Sequence, residues 1–511
     1  MHVHVIVCGM TSPLTTSAAP SPAVRWTPRL WGTLLVLCAA MFLDALDVSM
    51  VGVALPSIGS DLGLSTSTLQ WVVSGYILGY GGLLLLGGRT ADLLGRRQVF
   101  LVALGVFALA SLLGGLVDSG PLLIASRFIK GLSAAFTAPA GLSIITTTFP
   151  EGPLRNRALS IYTTCAAAGY SMGLVFSGLL TEASWRFTML LPAPVALLAL
   201  LVGMRLLPRS ERERDHGGYD VPGAVLGTAS MLLLVFTVVQ APEAGWASAR
   251  TLLSFAAVAV MLVAFVLVER RSPSPLVRLG VLRSGPQIRA QLGALTFVGS
   301  YTGFQFLVTL YMQQVLGWSA LHTALAFLPA GALVALSATK VGAVIDRFGT
   351  ARLIVLGFVL LAVGYVLFLR VDLHPVYAAV ILPTMLLVGS GFALTFPSLN
   401  VQATNGVDEH EQGMVSGLLN TSVQVGGALF LAVVTAVVTA HAPAKATPQA
   451  VLDSYRPGLV VVAVIAVVGL LLSLSGLRRP RRGPSVVVAR SVVTEADAVT
   501  AADADRVPVR D

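Results

Sequence analysis

Long apolar stretches recur along this chain, with charge almost confined to the short segments between them, and few folds tolerate that pattern. Stretches of spanning length lie at about 31–57, 69–88, 98–117, 121–147, 158–181, 186–207 and 221–240. Others follow at about 250–269, 290–313, 320–343, 351–370, 374–397, 412–438 and 456–476, fourteen in all. A bilayer core about 30 Å thick takes roughly 20 helical residues. Within lipid the backbone must satisfy its own amides, so such stretches predict helices. Charged residues are 11% of the 511, against about 25% in soluble domains, and the mean hydropathy is +0.84. The fold class expected is an all-α polytopic membrane protein.

The formal net charge of +9 would suit a nucleic-acid-binding face if it were gathered on one surface. It is instead dealt to alternate loops. Arg25, Arg29, Arg89, Arg96, Arg97, Arg155, Arg157, Arg205, Arg209, Arg212, Arg214, Arg270, Arg271, Arg278, Arg283, Arg289, Arg347, Arg352 and the run RRPRR after Leu477 fall on one side. The other side holds only Arg186, Arg250, Arg370, Lys445 and Arg456. Basic loops mark the cytoplasm, so both termini are expected there, with no nucleic-acid partner. The loop VQATNGVDEHEQ departs from the pattern, carrying acids and no basic residue. Residues 1–30 and 477–511 are expected to be disordered cytoplasmic tails, the basic run of the second resting on anionic membrane lipids. The opening MHVHVIVCGMTSPLTT has no basic n-region, so no secretory signal peptide is expected.

Within the first stretch, WGTLLVLCAAMFLDALDVSMVGVALP, stand two acids, Asp44 and Asp47. A carboxylate in hydrocarbon costs several kcal/mol unless it faces a polar cavity, is paired or is protonated. Three residues apart on a helix, the two share neighbouring faces. Two negative charges held together favour uptake of a proton by one of them. The acids therefore read either as a proton-coupling or cation-binding site, or as a brace on a neighbouring helix. Cys8, Cys38 and Cys165 share no local spacing, so neither a disulfide framework nor a metal site is expected. No GxxxxGK[ST] phosphate loop occurs, so energy is expected from an ion gradient or from the substrate's own gradient, with no cofactor.

Several ordered motifs over roughly 31–476 resemble the major facilitator superfamily, and within it the fourteen-helix drug:proton antiporter family. Leu46, Asp47, Ser49, Gly52, Ala54, Leu55 and Pro56 resemble its first-span pattern Leu-Asp-x-Thr-x-x-Asn-x-Ala-Leu-Pro. Gly52 replaces the amide, which implies a thinner polar network around Asp47, and Asp44 is an additional acid. Gly88, Arg89, Thr90, Ala91, Asp92, Leu93, Leu94, Gly95, Arg96 and Arg97 resemble the gating loop Gly-x-Leu-Ala-Asp-Arg-x-Gly-Arg-Arg. The resemblance makes Asp92 a latch, paired with Arg96, Arg97 or a helix end, while Gly88 and Gly95 allow a tight turn. A degenerate copy stands at Gly342, Asp346, Arg347, Phe348, Gly349 and Arg352. Arg127 matches an intramembrane arginine, which implies a part in proton handling beside Asp47. Lys130, one turn on, either snorkels to the interface or joins an ion-paired cluster. Gly169, Gly173 and Gly178 resemble the antiporter signature of the fifth span, with Leu174 for its proline and Ser177 for one glycine. Trp185 and Arg186 follow as the family's entry to the sixth span. Asn420 and Gln424 belong to a polar set in the thirteenth span, expected at helix contacts or along the pathway.

The resemblance implies two six-helix halves, 31–207 and 270–476, with a linker and two extra central helices at 208–269. It implies a multi-pass cell-membrane transporter performing proton-coupled antiport, hence multidrug or antibiotic efflux and resistance, and no enzyme. No acid lies between Arg289 and Asp346, which predicts poor export of dications and leaves monocations and neutral lipophiles as substrates. Among the aromatics of the ninth span, Phe297, Tyr301, Phe304, Phe306 and Tyr311 either stack on a planar substrate or pack against neighbours. The alternatives of function are a same-fold importer or uniporter of a metabolite and a non-transporting membrane sensor.

Overall fold

The computed structural model describes residues 26–150, 153–208, 221–272, 284–337, 340–405, 407, 412–442 and 447–477. Residues 1–25 and 478–511, with the RRPRR run, and the linker residues 209–220 lie outside these, while residues 28–30, expected in the first tail, already belong to a helix. Among the described residues every regular element is helical. The first group comprises α1 (Pro28–Leu62), α2 (Thr66–Leu94), α3 (Arg96–Leu116), α4 (Gly120–Thr148), α5 (Pro153–Ala183), α6 (Arg186–Leu190) and α7 (Pro192–Leu206). Next come α8 (Val221–Ala244) and α9 (Ala249–Arg271). The last group is α10 (Gly285–Leu310), α11 (Ala320–Ser337), α12 (Val341–Phe348), α13 (Thr350–Phe368), α14 (Leu382–Thr404), α15 (Gln412–Ala440) and α16 (Pro448–Leu474).

Eleven spans among the described residues are long and apolar enough to cross a membrane. The other long helices are α2, α8 and α10, of 29, 24 and 26 residues. Side chains such as Leu35, Val102, Leu109, Leu116, Leu253, Val260 and Val464 stand outward and exposed, which water would penalise and lipid tails accept. Local chemistry sets the ends. Thr27, Ser65, Ser248, Ser284 and Thr447 cap α1, α2, α9, α10 and α16 with their hydroxyls. Gly63 closes α1 in the left-handed conformation at φ 62°.

Several boundaries differ from the sequence expectation for identifiable reasons. The sixth stretch is divided at Pro192, which has no amide hydrogen to continue the ladder. The ninth ends in a π-turn, Tyr311–Val315, and the twelfth begins with another, Tyr377–Ile381, before running on to Thr404. Pro139 leaves α4 unbroken. The carbonyl of Ala135, which it deprives of a donor, faces the bare Cα of Gly87 on α2, so close that no Cβ would fit between them. Leu174, in the place of the signature proline, sits within an uninterrupted α5.

Within the first group α1 packs on α5 and α7, and α4 on α2 and α3; within the last, α10 packs on α14, α15 and α16, and α13 on α14 and α16. Two seams join the groups, α2 against α15 and α5 against α11. The pair α8 and α9, central in sequence, lies peripherally: α8 rests on α2 and α15, while α9 buries only Thr251, Val258 and Glu269. The gating loop and its degenerate copy fold alike. In each a single glycine with positive φ separates two helices, Gly95 at 101° and Gly349 at 80°.

Candidate transport site

Asp47 is fully buried on α1, and two cations from α4 close on it. Arg127 donates through Nη1 to Oδ2, and Lys130 through Nζ to Oδ1. Three residues apart, the two bases share one face of α4. Arg127 also donates from Nε to the Val72 carbonyl of α2 at 3.1 Å, and its guanidinium lies 4.8 Å from the Tyr76 ring centre. The Lys130 ammonium stands 5.1 Å from the ring centre of Phe107 on α3. One charge cluster therefore ties four helices together. Lys130 does not snorkel; its side chain is wholly buried, because the stem that would reach the interface is extended toward Asp47 instead.

Charge in a medium of low dielectric is tolerated only when paired and hydrogen-bonded. Here one carboxylate serves two cations, so the triad carries surplus positive charge. Asp44, one turn earlier on α1, is placed to offset it. Its Oδ2 accepts from Thr137 Oγ1 at 3.2 Å, while its Oδ1 has no partner among the described residues and the side chain keeps 8% exposure. The two acids thus have different standing: Asp47 is engaged on both oxygens, and Asp44 remains open on one.

Gly52 does not leave the region as bare as expected. Gln305 of α10 reaches over it, with Nε2 only 3.3 Å from where a Cβ on residue 52 would lie. Beyond it Pro56 interrupts the α1 ladder, and Gln313 Nε2, presented by the π-turn, donates to the Val53 carbonyl at 2.9 Å. That bond joins the two helix groups near the end of α1 that carries Asp61. Replacing Gln313 with leucine is expected to loosen this end. In a cysteine-free background carrying Ala54→Cys, a membrane-impermeant maleimide should then label several-fold faster; unchanged labelling would rule out the bond as a closure.

The signature glycines of α5 serve two partners. A Cβ at Gly169 would collide with the Phe42 carbonyl of α1, and one at Gly173 would come within 2.6 Å of the Leu46 carbonyl. Ser177, standing for a glycine, donates to the Met50 carbonyl at 2.5 Å. Gly178 turns to α11 instead, where a Cβ would be 2.8 Å from the Leu321 Cα. In the gating loop Gly95 makes the turn alone, since Gly88 lies inside α2 with ordinary space around it. Arg97 donates to the Met204 carbonyl at 2.5 Å, at the negative end of α7. Arg96 begins α3, and the side chains of Arg89 and Asp92 lie outside the described residues.

Asn420 bonds back to the Ser416 carbonyl of its own helix at 3.0 Å, while Gln424 packs against Gly81 of α2 on the seam between the groups. At the far end of α1, Arg186 bridges Asp61 at 2.7 Å and Asp118, and Trp185 Nε1 donates to Asp61 at 2.8 Å. Glu182 accepts from the Leu321 amide at 3.3 Å, and His322 stacks on Trp318. Thr137, Tyr76, Gln305 and the two acids that hold Arg186 belong to none of the sequence motifs. Thr137 carried a signal, seven residues beyond Lys130 and so on the same helical face; Tyr76 and Gln305 carried none that a single chain displays.

The description of the Major Facilitator Superfamily matches residues 37–431, over three quarters of the chain. The chain belongs to that superfamily. As a superfamily member it is a multi-pass membrane protein, and its relatives are transporters. It is 38% identical to the puromycin resistance protein of Streptomyces alboniger over 90% of this chain and 92% of that one. It is 38% identical to the cephamycin export protein of Amycolatopsis lactamdurans, over 84% and 89% respectively, and 32% identical to the lincomycin resistance protein of Streptomyces lincolnensis, over 92% and 97%. Among solved structures, the nucleoside transporter NupG superposes with a TM-score of 0.63 at 12% identity, covering 87% of this chain and all of that one. A human organic anion transporter gives 0.60 at 16%, covering 88% of this chain and all of that one. At such identities the superfamily fold is what is shared.

Proposed function

We propose that this superfamily member exports lipophilic or monocationic drugs or antibiotics across the plasma membrane in exchange for protons, by alternating access. In this reading 31–207 and 270–476 are six-helix halves, with the linker and extra helices at 208–269. Counting α2, α8 and α10 as spans gives fourteen, and both termini are cytoplasmic. Relatives named for resistance to or export of antibiotics support the substrate class.

The observation that carries the reading is the buried triad of Asp47, Arg127 and Lys130 beside the half-open Asp44. A fully paired Asp47 has no oxygen to offer a proton. Asp44 has one, so it is the first acceptor. Its protonation removes one of the two negative charges that hold the cations of α4, and so weakens the pull of α1 on α4. Asp47 exchanges its partners as the halves rock, with Asp92 in the gating loop making and breaking its latch. Release of the proton on the cytoplasmic side restores the starting arrangement. A membrane potential supplies about 2.3 kcal/mol per charge per 100 mV, enough to concentrate a substrate substantially.

Everted membrane vesicles test this. Vesicles energised with a proton gradient are expected to accumulate a lipophilic dye or antibiotic and to release it on addition of a protonophore. Accumulation indifferent to the protonophore would contradict the coupling. Matched quaternary ammonium compounds provide a second check: the monovalent one should be carried and the bivalent one poorly, and the reverse order would refute the charge argument drawn from α10 and α11.

A further inference from the structure

Where α5, α10 and α14 meet, aromatic rings drawn from both groups surround a small polar centre. Tyr170 of α5 is stacked on Phe392 of α14, with centroids 6.4 Å and planes 27° apart, and its centroid is 6.5 Å from that of Tyr301 of α10. Phe392 stands edge-on to Tyr301 at 5.0 Å, and Phe396 is stacked on Phe297 at 6.1 Å. The Tyr170 hydroxyl is 2.8 Å from Gln305 Oε1 and 3.2 Å from the Tyr301 hydroxyl. Gln305 Nε2 has no acceptor among the described residues and points over the bare Cα of Gly52. Tyr170, Tyr301, Gln305, Phe392 and Phe396 all keep part of their surface exposed, although they meet at the junction of the two groups. Phe304 and Phe306 on the same helix α10 are buried, as is Tyr311 in the π-turn that follows it.

We infer that Tyr170, Tyr301, Gln305 and Phe392 form a recognition site for planar, uncharged aromatic groups that carry a hydrogen-bond acceptor such as a carbonyl. The inference rests on the export reading and narrows it: this site holds neutral aromatic acceptors more tightly than the monocations that are also carried. Partly exposed aromatic rings accept a flat π-system against their free faces. The unclaimed polar group is an N–H donor, which seeks an acceptor and repels a cation. None of the four residues is charged, and the nearest acid on α1, Asp47, is occupied on both oxygens. The surplus positive charge of the triad lies five residues along α1 from Gly52, roughly 7–8 Å of helix rise, and weighs further against a cation. The amide is therefore supplied from α10 where the first-span pattern places it on α1, and Gly52 leaves room for it.

The test is equilibrium binding to the full-length protein in lipid nanodiscs, with three radiolabelled probes: 9,10-anthraquinone, anthracene and tetraphenylphosphonium. The wild type is expected to bind anthraquinone about fivefold to tenfold more tightly than anthracene, the difference of one good hydrogen bond to a neutral acceptor. Gln305→Leu should erase that difference while leaving anthracene unchanged, and Tyr301→Phe, which keeps the ring, should retain stacking. Tetraphenylphosphonium binding more tightly than anthraquinone, or Gln305→Leu weakening all three alike, would overturn the inference. Vesicle transport separates the two claims. Gln305-dependent binding without gradient-driven accumulation sinks the export reading and keeps the site; accumulation indifferent to Gln305 sinks the site alone.

Discussion

Asp47→Asn is expected to destabilise the folded protein severely, beyond any effect on transport. The substitution leaves Arg127 and Lys130 buried beside a neutral amide, and breaking a buried pair by removing one partner costs about 3–5 kcal/mol. Lys130→Met has the opposite sign. It removes the surplus cation, leaves Asp47 with Arg127, and is expected to be neutral or stabilising in thermal unfolding of the solubilised protein. The double variant should recover much of the loss, because the methionine stem fills the lysine's path. Equal stability of Asp47→Asn and the wild type would mean that the triad does not hold the helices together.

The second large effect lies on the seam of α1 and α5. Alanine at Gly169 or Gly173 is expected to cost 1–3 kcal/mol or more each, about what overpacking costs in a filled core. The atoms in the way include the main-chain carbonyls of Phe42 and Leu46, which no rotamer change can move, and at Gly173 the Ser49 hydroxyl as well. Gly88→Ala, from the gating loop, should be silent, since its Cβ would meet nothing nearer than 3.7 Å. Comparing the three by melting temperature and by export decides the matter; a Gly88→Ala as damaging as Gly169→Ala would contradict the packing.

Much of this architecture was legible because lipid leaves helices so few choices. Apolar length placed the segments, and the Asp47 and Arg127 positions stood out as charges where hydrocarbon forbids them. The partner of Lys130 was not legible, because a lysine stem can reach an interface or a carboxylate equally well, and only the position of α1 decides. Pro139 is a similar case: the carbonyl it leaves without a donor lies against Gly87, on another helix. The glycines of α5 announced close packing but not that Gly178 faces α11 while Gly169 and Gly173 face α1. Gln305 was invisible for the most general reason. A polar group that completes a gap at Gly52 from the other half of the molecule leaves no mark at any fixed spacing along the chain.

Coupling through the α1 acids is tested most directly by proton movement in proteoliposomes holding a pH-sensitive dye, as substrate is added to the wild type, Asp44→Asn and the Asp47→Asn, Lys130→Met double variant. The wild type is expected to show substrate-dependent proton flux and uphill export. Both variants should be folded, let substrate equilibrate, and move no protons. Uphill, gradient-driven export with proton flux in either variant would contradict the account.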